Sequence, residues 1–238
     1  TGGFAGSSYP TTVVDCVFAG TVESSSDNVG GIVGSIYTKV KNSDFDVYSC
    51  CVDTMIDCIN KGVVKGNNNV GGLIGSLKVL TDYTVFANYD NVSYLVMKEC
   101  VNAGQVEGND YVGGLVGYYY VEAYGSYDNK KKDVMHSFEV KMANNLNLGD
   151  VRGLTFGGIC GYIQVWGNID TNRDADILYQ FNEVKLHFDN CVNNSEGGFA
   201  GEFKNNYKTV RNKSYSSGKL VSLGYWLFDA VGGAGQQK

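Results

Sequence analysis

Only two histidines, His136 and His187, occur in the 238 residues, 51 positions apart and in unrelated contexts. A histidine-centred triad or a histidine-rich metal site has little material to draw on. Two charged pairs stand at strand spacing, Asp150 with Arg152 and Glu139 with Lys141. Carboxylates and basic residues gathered on one exposed sheet are how parallel β-helices build polysaccharide lyase and glycosidase sites. The simpler reading of both pairs is ordinary outward-facing strand charge. No HExxH peptidase motif is present, and the glycine phrases lack the GK[ST] ending of a phosphate loop. Aspartate never occupies the slot of a calcium-binding GGxGxD repeat, so neither a metal nor a cofactor is expected.

Aromatic residues offer more. Tyr118, Tyr119 and Tyr120 follow one glycine phrase directly, Tyr162 and Trp166 follow the next, and Ile36 and Tyr37 follow an earlier one. If these positions line up on neighbouring elements they form an aromatic stripe, able to stack on sugar rings or bury against a protein. Alternate members would then turn into the core. Asn91 in NVS, Asn193 in NNS and Asn212 in NKS fit the acceptor pattern for N-linked glycans.

The elements that must position these residues are written as a repeat. A glycine phrase occurs as GGFAG at Gly2, GGIVG at Gly30, GGLIG at Gly71, GGLVG at Gly113, GGICG at Gly157 and GGFAG at Gly197. A degraded copy starts at Gly232, and successive starts are 28, 41, 42, 44, 40 and 35 residues apart. Self-similarity at such a period marks a solenoid, propeller or array. The intervening runs alternate apolar and polar residues and are rich in valine, tyrosine and phenylalanine, so they read as strands. No helical stripe of comparable length competes with them.

Each unit supplies three predicted strands: one through the G-x-V phrase, one opening at the GG phrase and one leading into the next cysteine. Three strands closing about 42 residues describe one coil of an all-β, parallel β-solenoid. A propeller blade of similar length has four antiparallel strands and no reason for an in-register cysteine.

A second phrase precedes each glycine phrase: CVFAGTVES at Cys16, CINKGVVKG at Cys58 and CVNAGQVEG at Cys100, with MANNLNLGDVRG at Met142 and a truncated CVNNSEGG at Cys191. Cys16, Cys58, Cys100 and Met142 stand 42 apart, which predicts a column of apolar sulfur-bearing side chains. Asn60, Asn102, Asn144 and Asn193 recur two residues later and predict an amide ladder at a turn. Free buried thiols are the preferred state of the cysteines. Adjacent coils nonetheless place their Cα atoms within disulfide range, and Cys50 or Cys51 could bond elsewhere. In the glycine phrase the large third residue and the smaller fourth are expected on opposite faces. The glycines beside them suit either a close approach of two walls or a bend with positive φ.

The two phrases together, C-x-N-x-G-x-V-x-G followed by VGGLVG, resemble the GLUG repeat, named from its Gly-Leu-x-Gly core. The resemblance is strong over 58–117, good over 16–34 and 142–161, and weak after Cys191. It implies an extracellular or cell-surface β-solenoid of structural or adhesive duty. Such repeats occur in adhesin-like proteins and in noncatalytic regions beside bacterial immunoglobulin-A metallopeptidases.

A net charge of −6 with one basic run, Lys130-Lys131-Lys132, argues against a nucleic-acid partner. No apolar stretch is long enough to insert in a membrane as a helix. Residues 1–190 are expected to form the coils, and residues 191–238 a divergent final repeat or cap of the same domain. Neither end shows a recognisable cap, which predicts either neighbouring repeats of a longer chain or end-to-end self-association. The sequence-level expectation is therefore an adhesin stalk or fibre subunit, with glycans as attachments. A carbohydrate-active β-helix enzyme is the alternative.

Overall fold

The computed structural model describes residues 1–3, 5–8, 12–42, 54–83, 91–125, 137–169, 183–195 and 197–205. They form a parallel β-solenoid: each strand pairs with its counterparts in adjacent coils, on both sides within a sheet and on one side at its edges, and every pairing is parallel. Leu73 N–H bonds Leu115 O at 3.1 Å, so the glycine-led segments lie directly over one another. The described part of the divergent region continues the stack, through the strands Val192–Asn193 and Ala200–Asn205. The remainder of 191–238, including the copy at Gly232, lies outside the described residues, as do Phe4, Cys50, Cys51 and the lysine run.

A coil contains five strands rather than three, and we name their sheets A to E in chain order. Sheet A holds the dipeptides Val17–Phe18, Ile59–Asn60, Val101–Asn102, Leu146–Asn147 and Val192–Asn193. Sheet B holds Thr21–Glu23, Val63–Lys65, Gln105–Glu107 and Val151–Arg152. Sheet C is Val29–Gly30, Val70–Gly71, Val112–Gly113 and Phe156–Gly157. Sheet D carries the long strands Val33–Asn42, Ile74–Tyr83, Val116–Gly125 and Cys160–Ile169, flanked by Ala5–Ser8 and Ala200–Asn205. Sheet E is Thr12–Val14, Thr54–Ile56, Asn91–Lys98, Ser137–Ala143 and Glu183–Asp189. Sheets B, D and E are the three predicted strands. The dipeptides of sheets A and C are too short to alternate visibly, which hides them in the sequence.

Two kinds of corner turn through the left-handed region without glycine. One precedes the cysteine position and is occupied by Asp15, Asp57, Glu99, Asn144 and Asn190, with φ from 53° to 57°. The other precedes sheet C and holds Asn28, Asn69 and Tyr111 at φ 55° to 57°. Asparagine and aspartate tolerate this conformation best because their short polar side chains bond locally.

Two apolar clusters fill the coil. Valines 22, 64, 106 and 151 of sheet B pack on Val29, Val70 and Val112 of sheet C. The larger cluster is built from sheets D and E and includes Met55, Met97, Met142, Leu77, Tyr119, Ile163 and Phe188. Leu73 and Ile74 both belong to it and are fully buried, so the third and fourth residues of the glycine phrase do not face apart. The chain bends at Gly72 and Leu73, between the strands of sheets C and D, and the bend turns both side chains inward.

The glycines of that phrase answer to close approach, not to positive φ. Of the described glycines only Gly197 has a positive φ, at 93°. A Cβ on Gly71 would meet Ile74 O at 1.9 Å, one on Gly72 would meet Gly114 O at 2.1 Å, and one on Gly117 would meet the Asn69 carbonyl carbon at 2.4 Å. Backbone of the same coil at Gly71, and of an adjacent coil at Gly72 and Gly117, occupies the space a side chain needs. Gly114→Ala would press its methyl to 2.0 Å from Gly158 O and 2.4 Å from the Asn147 amide carbon. We expect this variant to lose about 3 kcal/mol or more, seen as a fall in thermal midpoint, whereas Gly20→Ala, with its nearest atom at 3.4 Å, should be close to neutral.

Candidate functional site

The repeated polar residues form columns along the solenoid. In the central one Asn60 Nδ2 donates to Asn102 Oδ1 at 2.7 Å, Asn102 Nδ2 to Asn147 Oδ1 at 2.7 Å, and Asn147 Nδ2 to Asn193 Oδ1 at 3.0 Å. Each carbonyl oxygen also accepts the backbone N–H two residues on: Gly62 at 2.9 Å, Gly104 at 3.3 Å, Gly149 at 3.3 Å and Ser195 at 3.0 Å. Asn60, Asn102 and Asn147 are fully buried. Along the chain Asn60 falls between Cys58 of the larger cluster and Val64 of the smaller, and Asn102 reaches the opposite corner at Gly72. The column is a hydrogen-bonded septum between two apolar compartments.

Asn144 is not part of it. Asn102 pairs with Asn147, 45 residues on, because the fourth unit carries three extra residues before the column. Asn144 instead occupies the left-handed corner, where its Oδ1 accepts from Asn190 Nδ2 at 3.0 Å. The same shift removes Met142 from the cysteine column: it pairs with Met97 and Phe188 in sheet E. The place after Cys100 is taken by buried Asn145, whose Oδ1 accepts the Cys100 N–H at 2.9 Å.

Cys16, Cys58, Cys100, Cys160 and Cys191 are free thiols. Burial pushes Cys160 well up and Cys191 up to about 11. The neighbouring Cys58 and burial both hold Cys100 up, and the neighbouring Cys100 draws Cys58 down to about 7.

Other columns are exposed. Asn67 Nδ2 donates to Asp27 Oδ1 at 3.0 Å and Asn109 Nδ2 to Asn67 Oδ1 at 2.9 Å, and beside them Asn69 Nδ2 donates to Asn28 Oδ1 at 2.9 Å. On sheet B the pairing Glu23, Lys65, Glu107, Arg152 alternates in sign, with Lys65 and Glu107 in a 3.3 Å ion pair. On sheet A an aliphatic column runs Val17, Ile59, Val101, Leu146, Val192, with Val17 59% and Val192 52% exposed. The only sequence signal for this last column is an aliphatic residue directly after each cysteine position, or after Asn145 in the fourth coil.

The aromatic residues of sheet D divide. Tyr119 is wholly buried against Phe188 at 6.2 Å, edge to face, and so belongs to no surface stripe. Tyr118, Tyr120 and Tyr162 do gather, and Tyr111 joins them from its corner. Tyr118 stacks on Tyr162 at 5.4 Å and 12°, and Tyr111 on Tyr162 at 4.6 Å. Lys78 Nζ stands 5.8 Å over the Tyr118 ring. Stacked Tyr120, 6.1 Å away, completes the cluster. Tyr162 stacks on Tyr118 and Tyr111 of the coil before, so the cluster clips two coils together through its rings, and its Tyr118 and Tyr120 hydroxyls are bonded as well. Those hydroxyls donate to Gln164 Oε1 at 2.8 Å from Tyr118 and to Glu122 Oε2 at 2.7 Å from Tyr120. Burial raises the Tyr118 phenol and pushes Tyr162 up to about 12. Trp166 lies in the same sheet, its Cα paired with Glu122.

The remaining candidates do not converge. Arg152 and Asp150 form an exposed 3.5 Å pair on one strand and its approach. Glu139 and Lys141 lie in sheet E, where Lys141 pairs with His187, which is buried. His136 and Asn212 are outside the described residues. Asn91 begins a strand of sheet E. The Asn193 amide nitrogen is engaged by the Ser195, Gly197 and Gly198 carbonyls at 3.2 to 3.4 Å, so its sequon is held inside the septum. Among the described residues no three His, Cys, Asp or Glu side chains are disposed to share one metal ion, and no helix is long and apolar enough to cross a membrane.

Two substitutions test these assignments. Asn102→Asp cannot donate to Asn147 Oδ1 as a carboxylate. Its buried carboxyl would have a raised pKa, so the stability deficit should deepen as pH rises from about 4 towards 7. At neutral pH the loss should reach about 3 kcal/mol, read from thermal midpoints against pH. Conversely, Tyr119 Oη is buried without a hydrogen-bond partner. Tyr119→Phe should be neutral or stabilising by about 1 kcal/mol in urea unfolding.

The chain matches no protein-family model, no curated protein and no solved structure, so what it does has to be argued from these columns.

Proposed function

We propose that the chain is a structural or adhesive segment of an extracellular or cell-surface protein, a stalk or fibre unit that associates end to end or continues into neighbouring repeats. One observation carries the proposal: the recurring polar side chains bond to their own counterparts one coil away. The Asn60–Asn193 septum, the Asp27–Asn67–Asn109 row and the alternating charges of sheet B all run along the axis. Groups arranged this way add strength with every coil and do not gather around a substrate. The resemblance to GLUG repeats agrees with this duty. So do the outward aliphatic column of sheet A and the tyrosine cluster of sheet D, which give the flanks contact area for a protein or a glycan.

The competing proposal, a polysaccharide-cleaving β-helix, would need acid and base groups facing one groove. The exposed Asp150–Arg152 pair is the nearest approach to that, and it sits on the open flank of sheet B.

Electron micrographs of the purified chain, with light scattering over a concentration series, test the assembly proposal. Elongated particles that lengthen with concentration are expected. Compact monomers at every concentration, or release of reducing ends from a polysaccharide panel, would overturn it.

A further inference from the structure

Cys16, Cys58 and Cys100 sit at the same corner of three successive coils, joined by backbone bonds from Ile59 N–H to Cys16 O at 2.8 Å and from Val101 N–H to Cys58 O at 2.9 Å. Their side chains adopt one pose. Each thiol donates to the carbonyl two residues before it, at 3.4 Å from Cys16 to Val14, 3.2 Å from Cys58 to Ile56 and 3.2 Å from Cys100 to Lys98. Cys58 and Cys100 also approach the carbonyls of Val13 and Met55 in the coil before, at 3.6 and 3.5 Å. Equivalent atoms in equivalent poses on parallel, in-register strands are one coil rise apart, about 4.8 Å.

That separation decides between two kinds of thiol chemistry. A disulfide needs sulfurs about 2.05 Å apart and Cβ atoms within about 4.5 Å. A coil rise of about 4.8 Å separates equivalent Cβ atoms, and the Ile59–Cys16 and Val101–Cys58 backbone bonds hold the coils at that rise. Two metal–sulfur bonds in line, about 2.3 Å each on the zinc value, span about 4.6 Å, close to the coil rise. Each sulfur is directed at a carbonyl of its own coil, so a cation midway between two sulfurs meets both along the solenoid axis. Zinc would demand two further ligands, and none is grouped there among the described residues. Two soft sulfurs in line favour a soft monovalent cation.

We infer that the Cys16–Cys58–Cys100 column is a linear, two-coordinate site for soft monovalent cations of the Cu(I) type, bridging sulfurs of adjacent coils. Cys16, half-buried in the first coil, is the point of entry, and the fully buried Cys58 is the shared ligand. The cation replaces one thiol proton, which leaves to solvent, and no electron is transferred. One thiolate and one thiol then hold one positive charge, so the core gains no net charge. Asn145 ends the column and separates it from Cys191, whose Sγ lies 3.6 Å from Asn145 Nδ2. No spacing motif reveals the site, because its ligands are a full coil apart in sequence.

The test uses the full chain with Cys50→Ser and Cys51→Ser, titrated with silver(I) nitrate in chloride-free buffer. Binding is followed by native mass spectrometry, and the silver environment by X-ray absorption. Two sulfur neighbours at about 2.3 Å are expected. Cys58→Asn, which copies the residue already present at position 145, should weaken binding by about tenfold or more, and Cys191→Ser should leave it unchanged. Equal binding by Cys58→Asn, three or more coordinating neighbours, or air oxidation to a Cys16–Cys58 disulfide would each overturn the assignment. The absorption measurement stands even where a variant fails to fold.

Discussion

Parallel stacking in register governs every residue choice in this chain, because it places each side chain against its own counterpart. A buried polar residue must then be complementary to itself. The carboxamide of asparagine meets this demand, with a donor at one end and an acceptor at the other, so Asn60, Asn102, Asn147 and Asn193 form a chain of bonds all pointing one way. A buried carboxylate column would repel itself, and a lysine column likewise. Where charge appears, on the exposed flank of sheet B, the sign alternates from coil to coil. Amides in series also polarise one another, which strengthens the septum beyond the sum of its bonds.

The same constraint explains the glycines. Opposite walls of the coil approach at the corner between sheets C and D, where Gly72 faces both the next coil's Gly114 carbonyl and the Asn102 amide. The septum can reach across only because that wall carries no side chains. Glycine after the asparagine has an equivalent reason, since a Cβ on Gly104 would meet Gly62 O at 2.0 Å. Septum and bare corner are thus one device, and the repeat unit is the shortest phrase that contains both.

How much of this could be read in advance depended on whether the signal was periodic or local. Period and glycine spacing give the parallel solenoid, and Asn60 with Asn102 gives the septum. Spacing misplaces the fourth rung, because three added residues shift the unit and bring Asn144 to the expected distance in place of Asn147. The bonding pattern tells the two apart: each buried rung supports the N–H of a glycine two residues later, and Asn147 stands two before Gly149 whereas Asn144 stands two before Leu146. Tyr119 is misjudged for a similar reason. Three tyrosines in a row carry no alternation in residue type, so only the register with Leu77 and Ile163 shows the middle one to be core. The corner clips of Tyr111, and the dipeptide strands, depend on backbone turns that composition does not announce.

Stability in a stack of this kind is a sum over neighbouring coils, so an irregular rung matters according to where it lies. The coils built on Asn60 and Asn102 have every element: amide to amide, thiol beside thiol, valine on valine. In the first coil Phe18 replaces the asparagine and packs against both apolar clusters, over Gly3 and Gly62. It covers the end of the septum with a ring, but Asn60 Oδ1 receives no amide from that side. At the other end Ser195 stands where glycine would be, and Asn193 turns its amide to the carbonyls of Gly197 and Gly198. The hydrogen-bonded column is therefore strongest in the middle and is closed by different chemistry at each end, apolar before Asn60 and backbone after Asn193. At the Phe18 end the first two coils are joined by apolar contact, backbone bonds and the Asp27–Asn67 and Asn28–Asn69 side-chain bonds, without a buried amide rung.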